Sequence, residues 1–526
     1  MAFVPKLLLS TVFSALLLAA PARAGDLCFE GGDLGGSVSF ELTGTAGELY
    51  VFVPSLTEGP LPLGLFFPGV PDVMTVGLDL FNSGFSRIGF FLGLPVSEVF
   101  PLPAVPALNG APLYGQFLTL DALGNFSTLS CRVDVPLMVP QNSAFTFGNV
   151  GTARQGQTVN RLDDGSAVVI GGDEPDGGGG LVQALDTIEL FDDKTSTFST
   201  LAGALNVRRS THTATTLDDG RILILGGYAD PADGIATTSG EIFDPSTGTT
   251  TSIAPMNSPR TQHTATLLDD GRVFVCAGVG RFDLTSVIAS LSTGNRDTEV
   301  YDPVTDTWTA GPNLPEERLG HQASLLPNGD VLITAGVEVI SIFGIPTPFF
   351  TSKCHRYDPD TNSFVGGTPS LPGTTGFAFH AQATLSNGRA AVVGGANGDL
   401  VTFSFVVLDD AYSYDVNTNS WTVVGSANFP RVYGQLLETS DNRVIIIGGL
   451  NAADIFTGSG TPEMRIEEST PSLLSWTHVP TMTMLKAREV SRSVFVGNGG
   501  VQRILTVGVG DVTSPPAEKT AEYYCP

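Results

Sequence analysis

Seven times along the chain a short alternating segment, a tight turn and an unbroken apolar run follow one another. The clearest copy is RTQHTATLLDDGRVFVCAGVG, from Arg260. Close copies begin at Arg208 (RRSTHTATTLDDGRILILGGY), Arg318 (RLGHQASLLPNGDVLITAGVE) and Phe377 (FAFHAQATLSNGRAAVVGGAN). Weaker ones begin at Arg154, Arg431 and Arg488. The closing glycines are Gly172, Gly227, Gly278, Gly336, Gly395, Gly449 and Gly508, separated by 55, 51, 58, 59, 54 and 59 residues. A self-similar period of this length predicts a repeat architecture.

Within each copy the pattern predicts strand, turn, strand. Segments such as HTATLL end at Asp-Gly or Asn-Gly, a strong hairpin signal. The runs ILIL, VFVC, VLIT, AAVV and VIII are apolar at every position, as a strand buried on both faces must be. A second half-repeat follows: ELFDDKTSTF from Glu189, EIFDPSTGTT from Glu241, EVYDPVTDTW from Glu299, HRYDPDTNSF from His355 and YSYDVNTNSW from Tyr412. Its Asp-Pro-x-Thr core is turn chemistry, so each unit is expected to hold four antiparallel strands. A four-stranded sheet cannot bury both faces alone, but sheets set radially about an axis can.

At these residues the chain resembles the kelch-repeat family, in its galactose-oxidase-like bacterial form with an Asp-Gly-Arg turn, over roughly residues 140 to 526. The expected fold is all-β: a seven-bladed kelch-type β-propeller, six-bladed as the fallback. The resemblance is specific for fold and not for function, because one fold hosts many activities. PQNSAFTFGNVGTAR, at residues 140 to 154, looks like the outermost-strand segment of the other repeats. It is expected to complete the last blade and remove a free edge. The expected domains are thus a signal peptide at 1–24, a small all-β, sandwich-like accessory domain at 25–135, and the propeller at 136–526.

Residues 1–24 have Lys6, an apolar core and Ala22-Arg23-Ala24, the layout of a Sec-type signal peptide, which implies secretion to periplasm or medium. Without them the chain has 24 basic and 53 acidic residues, a net charge of −29, which argues against nucleic acid as a partner. No later stretch is long and apolar enough to insert in a membrane. Of the five cysteines, Cys28 and Cys131 bracket the non-repeat region and are the expected disulfide, with Cys131–Cys525 the rival; Cys276 lies in an apolar strand as an inert thiol.

Two polar layers recur on the first strands. One holds His212, His263, His321 and His380, eight residues before the turn glycine, with Gln157 in the first copy. The other holds Arg154, Arg209, Arg260 and Arg318, three residues earlier, with Arg431 and Arg488 opening the last copies. The arginines read either as ion-pair partners of Glu189, Glu241 and Glu299 or as holders of an anionic or sugar ligand at the channel mouth. The histidines read as blade hydrogen bonds or as a layer that could bind a metal. All ten are the candidate ligand-binding residues. The resemblance to galactose-oxidase-like enzymes raises copper, but those enzymes carry a further C-terminal domain with a copper histidine, whereas this chain ends with its last repeat. Residues 173–180 look superficially like a calcium loop. No cofactor and no catalytic residue is therefore expected, copper and calcium being the alternatives. The long links between second and third strands, from Asp173, Val337 and Asp399, mark the binding face. The expected role is a secreted, non-catalytic protein binding a protein or glycan. The alternative is a propeller enzyme on carbohydrate, an oxidoreductase or a lyase or epimerase.

Overall fold

The computed structural model describes side chains from Val150 to Gly508, excluding residues 176–180, 193–196, 283–289, 291, 341–346, 399–404, 452–460, 479–491 and 497–503. For strands outside that range or inside those gaps it describes the backbone alone. The chain divides into two units, Met1–Gln141 and Asn142–Pro526. In the first, Leu27–Gly31, Ser37–Leu42 and Val96–Pro101 form one antiparallel sheet. A second joins Val133–Pro136, Pro112–Leu120, Leu49–Ser55 and Arg87–Phe90, with Phe126–Leu129 paired to Pro112–Leu120. The alternating segments SVSFEL and LYVFVPS are strands here.

The second unit is a β-propeller. Seven four-stranded antiparallel sheets follow the repeat. In the third, Thr264–Leu267, Val273–Cys276, Thr298–Asp302 and Thr307–Ala310 pair in that order. The first strands stand beside one another in a closed circuit, the last (Ser491–Val496) beside the first (Thr158–Arg161). They therefore surround the axis. The seventh sheet is composite: Ser143–Asn149 pairs antiparallel with Thr520–Cys525, next to Arg503–Gly508 and Ser491–Val496.

Why the second strands are apolar throughout is plain from their neighbours. Successive side chains of a strand point to opposite faces, and both faces of a blade are covered. Ile222 and Ile224 pack with Val168, Ile170 and Phe243 towards the first blade. Leu223 and Leu225 pack with Val273, Val275 and Tyr301 towards the third. The same alternation repeats to the interface where Leu505 and Val507 meet Val169 and Phe191. The core is thus a ring of inter-blade layers, with fourth strands such as TTTS mostly exposed.

The aromatic pairs seven residues apart are direct cross-strand partners. Tyr301 and Trp308 lie 4.9 Å apart, Tyr414 and Trp421 5.0 Å. Their polar tips are also used: Tyr301 donates to Asp306 Oδ1 (2.9 Å), and Trp308 Nε1 donates to Ala254 O of the preceding blade (2.8 Å).

The closing glycines bond between blades. Gly278 N donates to Arg318 O at 2.9 Å, Gly395 N to Arg431 O at 2.8 Å. Gly278 has φ +94°, and a Cβ there would lie 2.5 Å from Thr261 O. Because that atom is backbone, Gly278→Ala is expected to destabilise the propeller by at least about 2 kcal/mol in urea unfolding, from strain and overlap together. Among the described residues no helix is long and apolar enough to cross a membrane.

Candidate functional site

The arginine layer lies inside the blades. Arg154, Arg209, Arg260, Arg318 and Arg431 are at most 1% exposed. Arg154 pairs with Glu189, Arg209 with Glu241 and Arg260 with Glu299. Arg431 pairs with Glu467 at 2.9 Å. Each guanidinium also donates to the carbonyl of the residue before a closing glycine: Arg209 to Gly226 O at 2.8 Å, Arg260 to Ala277 O at 3.0 Å. Each carboxylate in turn accepts from the linker leading into the blade, as Glu241 does from Asn206 N (2.6 Å) and Val207 N (3.1 Å). The pair therefore ties linker, third strand and Gly-Gly turn together. These five guanidiniums are not presented at a channel mouth, contrary to the ligand-holding expectation: burial and the facing carboxylate commit them to the blade. Arg488 lies outside the described residues, as do the side chains of Cys28 and Cys131.

Among the described residues, two blades depart from the pattern and show what it does. In the fourth blade His355 stands where the others have glutamate, and Arg318 takes Glu338 instead, at 2.6 Å. Glu338 belongs to the long link and is shared with Lys353 Nζ at 2.9 Å. In the fifth blade Phe377 replaces the arginine and Tyr412 the glutamate; the two rings stack at 5.8 Å.

The histidine layer is likewise structural. Nε2 of His212, His263 and His321 bonds the hydroxyl of Thr158, Thr213 and Thr264, each on the first strand of the preceding blade, at 3.1, 2.9 and 3.0 Å. In the fourth blade that threonine is replaced by Gln322, so His380 reaches Thr334, which is paired with Gln322, at 2.8 Å. Burial pushes the imidazoles of His212, His321 and His380 down to about 3, assisted at His212 by Arg209 and at His321 by Arg318. Among the described residues no three His, Cys, Asp or Glu side chains are grouped to hold a metal. The Nε2 of each of these four histidines is thus bonded to a threonine hydroxyl. Cys276 and Cys354 are buried free thiols, raised to about 12 by burial.

The long links fold into hairpins. They are Asp173–Pro175 with Leu181–Ala184, Val337–Ile342 with Ile345–Phe350, Ala396–Asp399 with Ser404–Val407, and Leu450–Asp454 with Ser459–Pro462. The last three stand side by side: Ile345–Phe350 adjoins Ala396–Asp399, and Ser404–Val407 adjoins Leu450–Asp454. Phe350 and Phe405 meet edge to face at 6.3 Å. Beneath them Val337, Val339, Phe379, Val432 and Leu450 form one buried cluster. On the outside Ile340, Phe349 and Val406 are 38%, 44% and 62% exposed.

At the root of the first hairpin is a polar cluster that the sequence did not announce. Asp173, which opened the calcium-loop resemblance, is buried and accepts from Ser210 Oγ and Tyr228 OH, both at 2.6 Å. Its Oδ1 has no hydrogen-bond partner. Burial raises this carboxyl to about 6, against the lowering effect of the two hydroxyls. The folded state thus favours its protonated form, a contribution present below pH 4 and lost as pH rises through about 6. Asp173→Asn is expected to gain on the wild type by up to about 3 kcal/mol between pH 4 and pH 7, read by urea unfolding at the two pH values.

Comparison with known proteins agrees with this geometry. The Kelch motif family profile matches residues 260–315, the third blade. N-acetylneuraminate epimerase 1 of Escherichia coli is 25% identical over 194 residues, 36% of this chain and 41% of that protein. Kelch-like protein terF of Aspergillus terreus is 33% identical over 138 residues, 26% of this chain and 28% of that one. The chain spans less than half the length of these curated relatives. A fungal alcohol oxidase of the AA5 family, solved in complex with copper, superposes with a TM-score of 0.54 at 16% identity over 73% of this chain and 75% of its own, a likeness of fold alone.

Proposed function

We propose that this kelch-repeat β-propeller is a binding protein that presents its hairpin face to a protein or glycan partner, outside the cytoplasm after removal of residues 1–24. One observation carries the reading. The repeated arginines and histidines are committed to blade structure, whereas three adjoining hairpins form a supported platform with Ile340, Phe349 and Val406 turned to solvent. Exposed apolar side chains gathered on one rigid face favour association. A second reading, an enzyme acting on carbohydrate, is favoured by the similarity to an N-acetylneuraminate epimerase.

Glycan-array and protein-partner binding by the mature chain, alongside the triple variant Ile340→Asp, Phe349→Asp, Val406→Asp, tests the first reading. Binding by the wild type that falls at least about tenfold in the variant supports it; equal binding sinks it. Turnover of N-acetylneuraminate by the wild type would establish the second reading instead. Export is checked separately, by N-terminal sequencing of the secreted protein, which should begin at Gly25.

A further inference from the structure

Of the eight large apolar side chains that stand exposed among the described residues, five lie on links between second and third strands: Val182, Ile235, Ile340, Phe349 and Val406. Alternate links of an antiparallel blade lie at the same end, so these share one rim of the propeller. The rim is continuous. Ile235 bridges to Arg281 of the next link, where Phe282 N donates to Gly234 O at 2.8 Å. Val279 of that link joins the cluster of Val337, Val432 and Leu450 beneath the three hairpins. The same links are acidic. Residues 173–186, 228–239, 279–297, 337–353, 396–410 and 450–465 carry fourteen acidic and four basic residues, a steeper excess than the 53 to 26 of the whole chain. Two of the four cations are held by acids of the chain, Lys353 by Glu316 and Glu338 and Arg465 by Glu463. Exposed Asp230 and Asp233 precede Ile235, and half-buried Asp409 and Asp410 follow Val406; among the described residues none of these four is in an ion pair. Asp230 and Asp233 are fixed by the backbone N–H groups of Ala232 and Ile235, at 2.8 and 2.9 Å. Burial and then the charge of Asp409 raise the Asp410 carboxyl.

We propose that this face docks a basic amphipathic segment of another protein, its apolar side chains on Phe349 and Val406 and its cations on Asp409 and Asp410, with Ile235, Asp230 and Asp233 extending the same pattern. The assignment rests on the hairpin platform being the binding face and adds the chemistry of its partner. Apolar anchors at the centre of a contact supply most of its affinity, and opposite charges around them speed encounter and reject like-charged partners. A second copy of this chain would bring the same carboxylates to the contact, and an anionic membrane would bring its headgroups. A neutral glycan would leave the four aspartates without a counter-charge.

Fluorescence anisotropy of a labelled synthetic amphipathic helix of leucine and lysine, titrated with the full mature chain, tests the assignment. Its leucine–glutamate counterpart and polylysine of the same length are the controls. The leucine–lysine helix should bind at least about tenfold more tightly than either control, and less tightly as salt is raised. Phe349→Ser with Val406→Ser should weaken that binding at least about tenfold. Asp409→Asn with Asp410→Asn should weaken it severalfold and flatten its salt dependence. Val304→Ser, a change at an equally apolar and 91% exposed position on the opposite rim, should leave it unchanged. Circular dichroism checks that each variant is folded, and the apolar and acidic pairs test the face independently. The proposal is overturned if the leucine–glutamate helix or polylysine binds as tightly, or if the two pair variants bind like Val304→Ser. Binding of a glycan or an acidic protein that is lost with Phe349→Ser and Val406→Ser would overturn the basic partner and leave the platform standing. Binding that no platform variant weakens would overturn both.

Discussion

Arg209→Ala is expected to destabilise the propeller by about 3–5 kcal/mol, whereas Arg209→Phe combined with Glu241→Tyr should recover most of that loss. The guanidinium is wholly buried and serves Gly226 O, Ser239 O, Ser239 Oγ and Glu241. Truncation removes these bonds and leaves the Glu241 carboxylate in the blade, still held by Asn206 N and Val207 N but without its counter-charge. An uncompensated buried charge is what makes the single change severe; a buried pair replaced by packed apolar groups is often neutral. The protein contains that replacement already, as the stacked rings of Phe377 and Tyr412 in the fifth blade. Urea unfolding of wild type, single and double variants reads the result. A single variant within about 1 kcal/mol of wild type, or a double variant no better than the single, would show that the pair does not bear on stability in this way.

The second large effect concerns closure. A chain beginning at Val150 lacks Ser143–Asn149 and leaves the strand Thr520–Cys525 unpaired on its outer side. An exposed strand edge is a template for pairing with other chains. Such a chain should aggregate or populate higher oligomers in size-exclusion chromatography, while one beginning at Asn142 should stay monodisperse. The truncated form should also lose cooperative unfolding, because the interface of Leu505 and Val507 with Val169 and Phe191 depends on the same blade. If both chains elute and unfold alike, the N-terminal strand does not hold the ring.

Much of this architecture was legible in the sequence, for local reasons. The apolar runs, the Asp-Gly turns and the aromatic pairs repeat with the period, and each is satisfied within a blade or against the next one. The partners of Arg154, Arg209 and Arg260 were readable because their glutamates, Glu189, Glu241 and Glu299, each stand at one fixed offset, one intervening position ahead of the aromatic residue of the second half-repeat. The partner of Arg318 was not: His355 occupies that offset, and Glu338 arrives from a link whose length and sequence vary from blade to blade. The role of Asp173 was not readable for a related reason. Its residues look like an ion loop, but the donors that hold it, Ser210 and Tyr228, come from the next blade. The seventh copy was harder to align, although Arg492 stands eight residues before Gly500 as His212 stands eight before Gly220. The glycine-rich stretch at 497–500, with two candidate glycines, hid the register.

The central claim is that the repeated polar layers are consumed by the fold. A proton NMR titration of the histidine ring signals in the mature protein tests it most directly. With their imidazoles buried against threonines of neighbouring positions, His212, His321 and His380 have pKa values pushed down to about 3. Their signals should therefore stay fixed in the neutral form from pH 8 down to about 5. Signals of these residues moving with midpoints near the ordinary 6.5 would mean the layer is open to solvent, available to a ligand or metal, and would contradict the account.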